Sequence, residues 1–219
     1  CRVANVDTAS KLETALDMYA TGAPVAVDIE GANLGPTGRI ATVQLCVDGG
    51  TDVLICDIVA LGAAAFATTR ASLRGLLEST TVTKLFWDCR TDAAALYHQF
   101  GVRPQMVLDL QVMHVAMLVA ANQRPQYLTG LGKVLDALCP MAEGERGRLE
   151  IVKREAHALF DTDRGGSKDA WLNRPLPPIL LEYATDVRYF HPLRASLNKS
   201  RYGRVGGVEV LFKSILGSA

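Results

Sequence analysis

Asp28 and Glu30 are the first residues in the sequence whose types and spacing suggest chemistry. They lie two positions apart in the segment VAVDIEG, which is otherwise apolar and has the composition of a β-strand. Side chains two apart on a strand point to the same face, so the two carboxylates are neighbours. Like charges this close repel each other and lose hydration unless cations lie between them. The pair therefore predicts either a cation site or a strand end at which both acids contact water.

Two further acids, Asp92 and Asp186, are also candidates for a cation site. Asp92 follows the apolar segment 82–89 and opens the next helical segment, where the helix dipole alone already favours an acid. Asp186 lies on the apolar stripe of a segment predicted as one long helix over 177–197, three residues after Tyr183. A carboxylate on the buried face of a helix requires a partner, which is either a buried arginine or a metal ion.

Carboxylates contributed by one strand and two helices form an oxygen-only ligand set, which is the kind that Mg²⁺ and Mn²⁺ prefer. Two such ions can catalyse phosphoryl transfer, one by activating a water and the other by stabilising the leaving oxygen. The chain has no net charge, because 23 Lys and Arg balance 23 Asp and Glu. Any surface that handles phosphate must therefore be local, or bound metal must supply its positive charge.

Composition excludes several classes of protein and of site. A chain of 219 residues that is 49% hydrophobic predicts one domain with a sizeable core and excludes disorder as its main state. Five dispersed cysteines without CxxC, and four histidines without HxxxH spacing, argue against a zinc site and favour buried thiols in a reducing, intracellular compartment. No apolar run approaches the roughly 18 residues that span a bilayer, so no membrane partner is expected. The start at Cys1 suggests an excised domain, and the organelle is not assigned.

The elements that must position the acids form two patterns. An opening helix is predicted at 10–20, followed by three strands joined by close turns, at 24–35, 38–50 and 51–60. Helices and strands then alternate, with helices at 61–77, 90–100, 111–121, 127–138 and 144–160, and strands at 82–89 and 106–110. An antiparallel meander followed by alternating helices and strands predicts one α/β domain with a mixed sheet.

We place this domain at 1–202. The tail 203–219 follows a glycine break, and we expect it either to pack back on the domain or to bind a protein partner or a second copy.

Taken in order, the acidic segments resemble the motifs of the DEDD family of 3′–5′ exonucleases, whose fold is ribonuclease H-like. The branch that contains Egalitarian and its exonuclease-domain relatives is the most similar. The motifs are matched by VDIEG, KLFWDCRTDAAALYHQFGV and RPLPPILLEYATDVRYFHPL, which place the family's four acidic ligands at Asp28, Glu30, Asp92 and Asp186. The segment MVLDLQVMH resembles the family's intervening segment, where Asp109 has a supporting place. The resemblance runs from about Val25 to Leu197.

The resemblance implies a metal-dependent 3′–5′ exonuclease that acts on a single-stranded RNA or DNA 3′ end, with RNA preferred. The four acids would bind two Mg²⁺ or Mn²⁺ ions, and Tyr183 would orient the attacking water. In the family's tyrosine-bearing subgroup three residues separate the tyrosine from the last aspartate, whereas YATD has two. On a regular helix this shift turns the hydroxyl of Tyr183 about 100° away from its usual direction. We expect a regular helix, because the apolar stripe continues through Phe190 and Leu193, and we therefore expect weakened activity.

Two other classes stay open. The same fold can be retained as an inactive RNA-binding or protein-interaction scaffold, which the shortened YATD favours. A metal-free structural domain would instead pair the acids with arginines. A cluster of basic residues forms either a phosphate-contact patch or a solvated helix face, because glutamates are interspersed among Arg146, Arg148, Lys153 and Arg154.

Overall fold

A computed structural model describes most of the chain, namely residues 2–17, 19, 22–47, 52–67, 69 and 71–199. The tail 203–219, for which docking or partner binding was predicted, lies outside the described residues. Its role and the domain boundary at 202 stay predictions.

The described strands form one six-stranded sheet in the order β1-β4-β3-β2-β5-β6. The strands are β1 (Arg2–Val6), β2 (Val25–Ala32), β3 (Arg39–Val47), β4 (Asp52–Asp57), β5 (Lys84–Phe86) and β6 (Val107–Asp109). Strands β2, β3 and β4 pair antiparallel, whereas β1 pairs parallel with β4, β5 with β2, and β6 with β5. The predicted mixed α/β sheet is therefore confirmed. Strand β1 was not predicted, because four of its five residues are exposed and it lacks an apolar signature.

Helices cover both faces of the sheet. One face packs against α1 (Ala9–Asp17), α2 (Ile58–Leu61), α3 (Leu73–Leu77) and α4 (Arg90–Phe100). The other packs against α5 (Leu110–Ala120), α6 (Leu131–Leu138), α7 (Glu143–Phe160), α8 (Pro178–Tyr183) and α9 (Phe190–Lys199). Four 3₁₀ turns in the described chain connect these helices, at Gly62–Phe66, Thr162–Arg164, Lys168–Leu172 and Asp186–Tyr189. In the part of the chain that the structure describes, no helix is long and apolar enough to cross a bilayer.

The single helix predicted from Leu61 to Leu77 is wrong. Helix α2 ends at Gly62, whose φ of 56° no other residue type adopts easily. Ser72 then starts a new helix, because its hydroxyl accepts the backbone N–H of Gly75 at 3.1 Å and donates to the carbonyl oxygen of Ala67 at 2.7 Å. Buried thiols were predicted from the dispersed cysteines, and Cys56, Cys89 and Cys139 are indeed free and buried.

The regular helix predicted over 177–197 is also wrong. Helix α8 ends at Tyr183, and a 3₁₀ turn separates it from α9. Thr185 causes the tightening, because its backbone N–H and its hydroxyl both donate to the carbonyl oxygen of Glu182, at 3.1 and 2.7 Å. The N–H of Arg188 then donates to the carbonyl of Thr185 at 3.2 Å. These bonds span three residues instead of four, so the chain turns faster through the segment that carries Asp186.

Arg174 holds the segment before α8 on the sheet. Its guanidinium donates to both carboxylate oxygens of Asp57, each at 2.6 Å, and to the carbonyl oxygens of Trp171 and Ala41 at 2.9 and 3.2 Å. Trp171 is 1% exposed, so this loop is a packed part of the core. Loss of one partner from such a buried pair costs about 3–5 kcal/mol. Arg174 therefore fixes the position from which α8 starts.

Candidate active site

Asp28 and Glu30 project from β2 in the middle of the sheet. Both are half-buried, and a β-bulge follows Glu30, where the pairing register with β3 shifts before Gly31. A Cβ on Gly31 would lie 2.1 Å from the carbonyl oxygen of Arg39, so only glycine allows β3 this close to the bulge. The bulge locally re-aims the strand beside Glu30.

Asp92 is fixed by the contacts of a neighbouring acid. It lies in the first turn of α4 and is 6% exposed. Asp109, at the end of β6, accepts the backbone N–H groups of Asp88 and Cys89 at 3.2 and 2.8 Å, and that of Gln111 at 2.9 Å. These bonds tie the start of α4 to the start of α5. They agree with the supporting place predicted for Asp109.

The four acids predicted as ligands share one electrostatic environment. Burial, and next the negative charge of Asp186, raise the pKa of Asp28 to about 8. The pKa of Glu30 is raised well above its usual range by burial and then by Asp28, Asp186 and Asp92. Burial and the charge of Asp28 likewise raise the pKa of Asp92. Residues distant in sequence are thus brought within electrostatic reach of one another.

Asp186 contacts a cation that the sequence did not single out. Its Oδ2 lies 3.5 Å from Nζ of Lys153 on α7, while its Oδ1 is buried without a hydrogen-bond partner. Burial raises the pKa of Asp186 and the ammonium of Lys153 opposes that rise. The described partner is thus a lysine instead of the predicted arginine, and the metal ion stays a prediction.

The other basic residues of the predicted patch pair with acids elsewhere. Arg148 forms a two-point ion pair with Glu182. Arg146 lies 3.6 Å from a carboxylate oxygen of Asp136, and the side chain of Arg154 is 67% exposed. These contacts favour a solvated helix face over a phosphate patch for these three arginines. Sequence gave no signal to separate Lys153 from them, since all four lie on one charged helix.

Tyr183 lies beside the acids despite the shortened motif. Helix α8 ends at Tyr183 and the 3₁₀ turn begins at Asp186, so the two residues do not lie on one regular helix. Burial, and then the negative charges of Glu30, Asp186 and Asp28, raise the pKa of its phenol well above the usual range. Its ring packs on three aromatic rings, with centroid distances of 5.5–5.9 Å to His157, Phe160 and Trp171. The 100° rotation of the Tyr183 hydroxyl was expected for a regular helix, and no regular helix runs through 183–186.

The donor set suits a hard divalent ion, although the ligands have not closed around one point. Among the described residues, no three Asp, Glu, His or Cys side chains form a cluster that could hold a metal ion as they stand. Coordination of one ion by three or more of these acids would therefore require their side chains to move. The oxygen-only donors and the unpartnered Oδ1 of Asp186 fit Mg²⁺ or Mn²⁺.

A cavity lies at the start of α6. Its volume is about 500 Å³, and its lining comprises Tyr127, Leu128, Thr129, Gly130, Gly132 and Lys133. Tyr127 is 85% exposed and Leu128 is 51% exposed. A Cβ on Gly132 would lie 3.8 Å from Nζ of Lys153, which in turn contacts Asp186. Gly132, which lines the cavity, therefore lies near the lysine that contacts Asp186.

Comparison with known proteins decides the family. A family model described as 3′–5′ exonuclease matches residues 3–200, which is most of the chain. The chain belongs to this family. The exonuclease resemblance inferred from the motifs is thereby confirmed, as is the ribonuclease H-like class of the sheet.

Individual relatives of this exonuclease domain agree. The piRNA biogenesis protein EXD1 of Mus musculus is 30% identical over 176 residues, which are 79% of this chain and 29% of that protein. The structure of Trypanosoma brucei RNase D in complex with RNA U12 has a TM-score of 0.75 and 30% identity, covering 97% of this chain and 68% of that one. Brucella melitensis NrnC with bound Mg²⁺ has a TM-score of 0.64 and 26% identity, covering 97% of this chain and 88% of that one. The chain thus spans less than a third of the mouse protein.

We expect the metal-free exonuclease domain to lose stability as pH rises from about 4 to about 8. Carboxyls in an unfolded chain titrate near pH 4, whereas the pKa of Asp28 in the folded protein is raised to about 8. Between these values the folded state binds more protons than the unfolded state, so the free energy of unfolding falls with pH. Divalent ions should oppose that fall, because they bind the folded state and neutralise the acids. Melting curves in EDTA and in millimolar Mn²⁺ across this range measure both effects.

Two variants control this measurement. Asp28→Asn should flatten the pH dependence in EDTA and remove most of the stabilisation by Mn²⁺. Asp163→Asn, which changes an exposed acid in the 3₁₀ turn Thr162–Arg164, should alter neither. A melting temperature indifferent to Mn²⁺ at every pH would contradict convergence of the four acids on metal.

Proposed function

We propose that this domain is a metal-dependent 3′–5′ exoribonuclease that shortens single-stranded RNA. One observation carries the proposal: four acids at the positions of the family's motifs share a single electrostatic environment with Tyr183. Membership of the 3′–5′ exonuclease family and the likeness to RNase D in complex with RNA support the reaction class and the choice of RNA.

The acids would hold two divalent ions, as the donor chemistry favours, through Asp28, Glu30, Asp92 and Asp186. Such ions, when bound, supply an activated water and stabilise the leaving oxygen of the phosphodiester. Tyr183 would orient that water. Its raised pKa keeps the phenol protonated at neutral pH, so its hydroxyl can both donate and accept a hydrogen bond. The rings packed around Tyr183 limit the directions in which that hydroxyl can point.

We expect the RNA to approach the acids along the cavity at 127–133, because its lining residue Gly132 lies near Lys153. A base can stack on the exposed ring of Tyr127, and the ammonium of Lys133 can contact a phosphate. Such local positive charge is needed because the chain as a whole is neutral. Stacking and phosphate contacts accept any base, so we expect weak sequence preference.

The competing proposal is an inactive scaffold of the same fold. Its support was the shortened YATD, on the assumption that the helix continues regularly. The 3₁₀ turn after α8 contradicts that assumption, and Tyr183 still lies within electrostatic reach of Asp186 in spite of the missing residue. This favours catalysis over the scaffold.

Incubation with a 5′-labelled single-stranded RNA tests the proposal. We expect a ladder of products that shorten stepwise from the 3′ end in Mg²⁺ or Mn²⁺ and no products in EDTA. A DNA of the same sequence should be shortened more slowly, and an RNA with a blocked 3′ end should resist. Binding of RNA without cleavage in either metal would favour the scaffold instead.

A further inference from the structure

Lys153 differs from its basic neighbours on α7 in where its charge lies. Its side chain is 24% exposed, whereas those of Arg148 and Arg154 are 54% and 67% exposed. Its Nζ lies 3.5 Å from Oδ2 of Asp186, whose side chain is 7% exposed. The helix thus directs one cation inward, to the acid that ends the family's last motif.

The influence of this ammonium extends beyond Asp186. Its charge also lowers the pKa of Asp28 and of Glu30, against burial and the other acids, which raise them. Lys153 therefore partly neutralises the same group of carboxylates that a divalent ion would neutralise. Gly132 of α6 presents no side chain to Nζ, and a Cβ there would make only an ordinary contact at 3.8 Å. The ammonium therefore lies near Gly132, which lines the cavity at the start of α6.

We propose that Lys153 is an internal counterion that competes with the divalent ions for Asp186. It holds the carboxylate in place in the metal-free protein and must turn away from Oδ2 when an ion binds there. The inference rests on the proposed function only in placing an ion at Asp186. Lys153 acts through Asp186, so it is a positioning residue.

The competition has a defined consequence for regulation. Two cations drawn to one carboxylate repel each other, so the presence of Lys153 weakens divalent-ion binding. It also stabilises the metal-free fold, because it offsets repulsion among the acids. The domain would thus stay folded without metal and become loaded only when the ion concentration is high enough to displace the lysine.

Calorimetric titration of the full chain with Mn²⁺ at one fixed pH tests the competition. We expect Lys153→Met to bind Mn²⁺ about tenfold more tightly than wild type, which corresponds to about 1.4 kcal/mol. Its melting temperature in EDTA should fall, and its gain on adding Mn²⁺ should rise. Lys153→Arg, which keeps the charge, should resemble wild type. Arg154→Met, which removes an exposed charge from the next position, should change neither quantity.

Each outcome bears on the proposal. Lys153→Gln serves as a second neutral variant if the methionine variant does not fold. Unchanged or weaker Mn²⁺ binding in the neutral variant overturns the counterion. If affinity is unchanged while RNA cleavage slows, Lys153 contacts the substrate phosphate instead. A wild type that binds Mn²⁺ more weakly than the neutral variant, yet cleaves no RNA, supports the counterion and overturns the proposed nuclease. Absence of Mn²⁺ affinity in both the wild type and the neutral variants overturns both.

Discussion

Replacing Asp28 by asparagine is expected to reduce RNA hydrolysis about a hundredfold to a thousandfold in Mg²⁺ or Mn²⁺. The substitution keeps the shape of the side chain and removes one negative charge from the group that would hold the ions. The charge of Asp28 raises the pKa of both Glu30 and Asp92, so its loss changes the electrostatic environment of two other predicted ligands. The rate of 3′ shortening under single-turnover conditions measures the effect.

The fold should survive this substitution, which separates lost chemistry from lost structure. Relief of repulsion should leave the melting temperature in EDTA unchanged or raise it at neutral pH. Asp163→Asn serves again as the matched control and should cleave RNA at the wild-type rate. An Asp28→Asn variant that retains more than about a tenth of the wild-type rate would contradict its place as a ligand, because loss of a group on which transition-state stabilisation depends costs about a hundredfold or more.

The sequence was enough to find the acids and the centre of the sheet. Asp28 and Glu30 stood out because carboxylates interrupt an apolar strand, and the meander was predictable because its turns are short and its strands apolar. These signals are local, so no knowledge of tertiary contacts was needed. The family then follows from the order of three such motifs along the chain.

What the sequence could not reveal depends on contacts between distant segments. The charged helix α7 carries several basic residues at similar spacing, and only packing against α8 and the 3₁₀ turn Lys168–Leu172 selects Lys153 to face inward. The register of the 183–186 segment was missed because α and 3₁₀ turns differ by little in local propensity. A single threonine hydroxyl bonded to Glu182 was enough to tighten it.

That rewound segment leads to the second prediction of large effect. Tyr183→Phe is expected to reduce the single-turnover rate by about tenfold to a hundredfold, where each tenfold step is about 1.4 kcal/mol of transition-state stabilisation. The ring remains packed on Trp171 and Phe160, so the change removes the hydroxyl alone. The affinity for RNA and the stabilisation by Mn²⁺ should change little, because neither depends on orienting the water.

Two further variants test whether the position of the Tyr183 hydroxyl causes the expected loss of rate. Tyr189→Phe, in the same turn, removes a phenol that donates to Glu145 at 2.8 Å, and it should lower stability without slowing the chemical step. Insertion of one alanine between Ala184 and Thr185 would restore the family's spacing. In a regular helix that insertion would improve activity. Here it should reduce activity, because Tyr183 already lies within electrostatic reach of Asp186 without it, and an added residue would change their relative orientation. An insertion variant faster than wild type, together with an active Tyr183→Phe protein, would show that the hydroxyl does not orient the water in the natural chain.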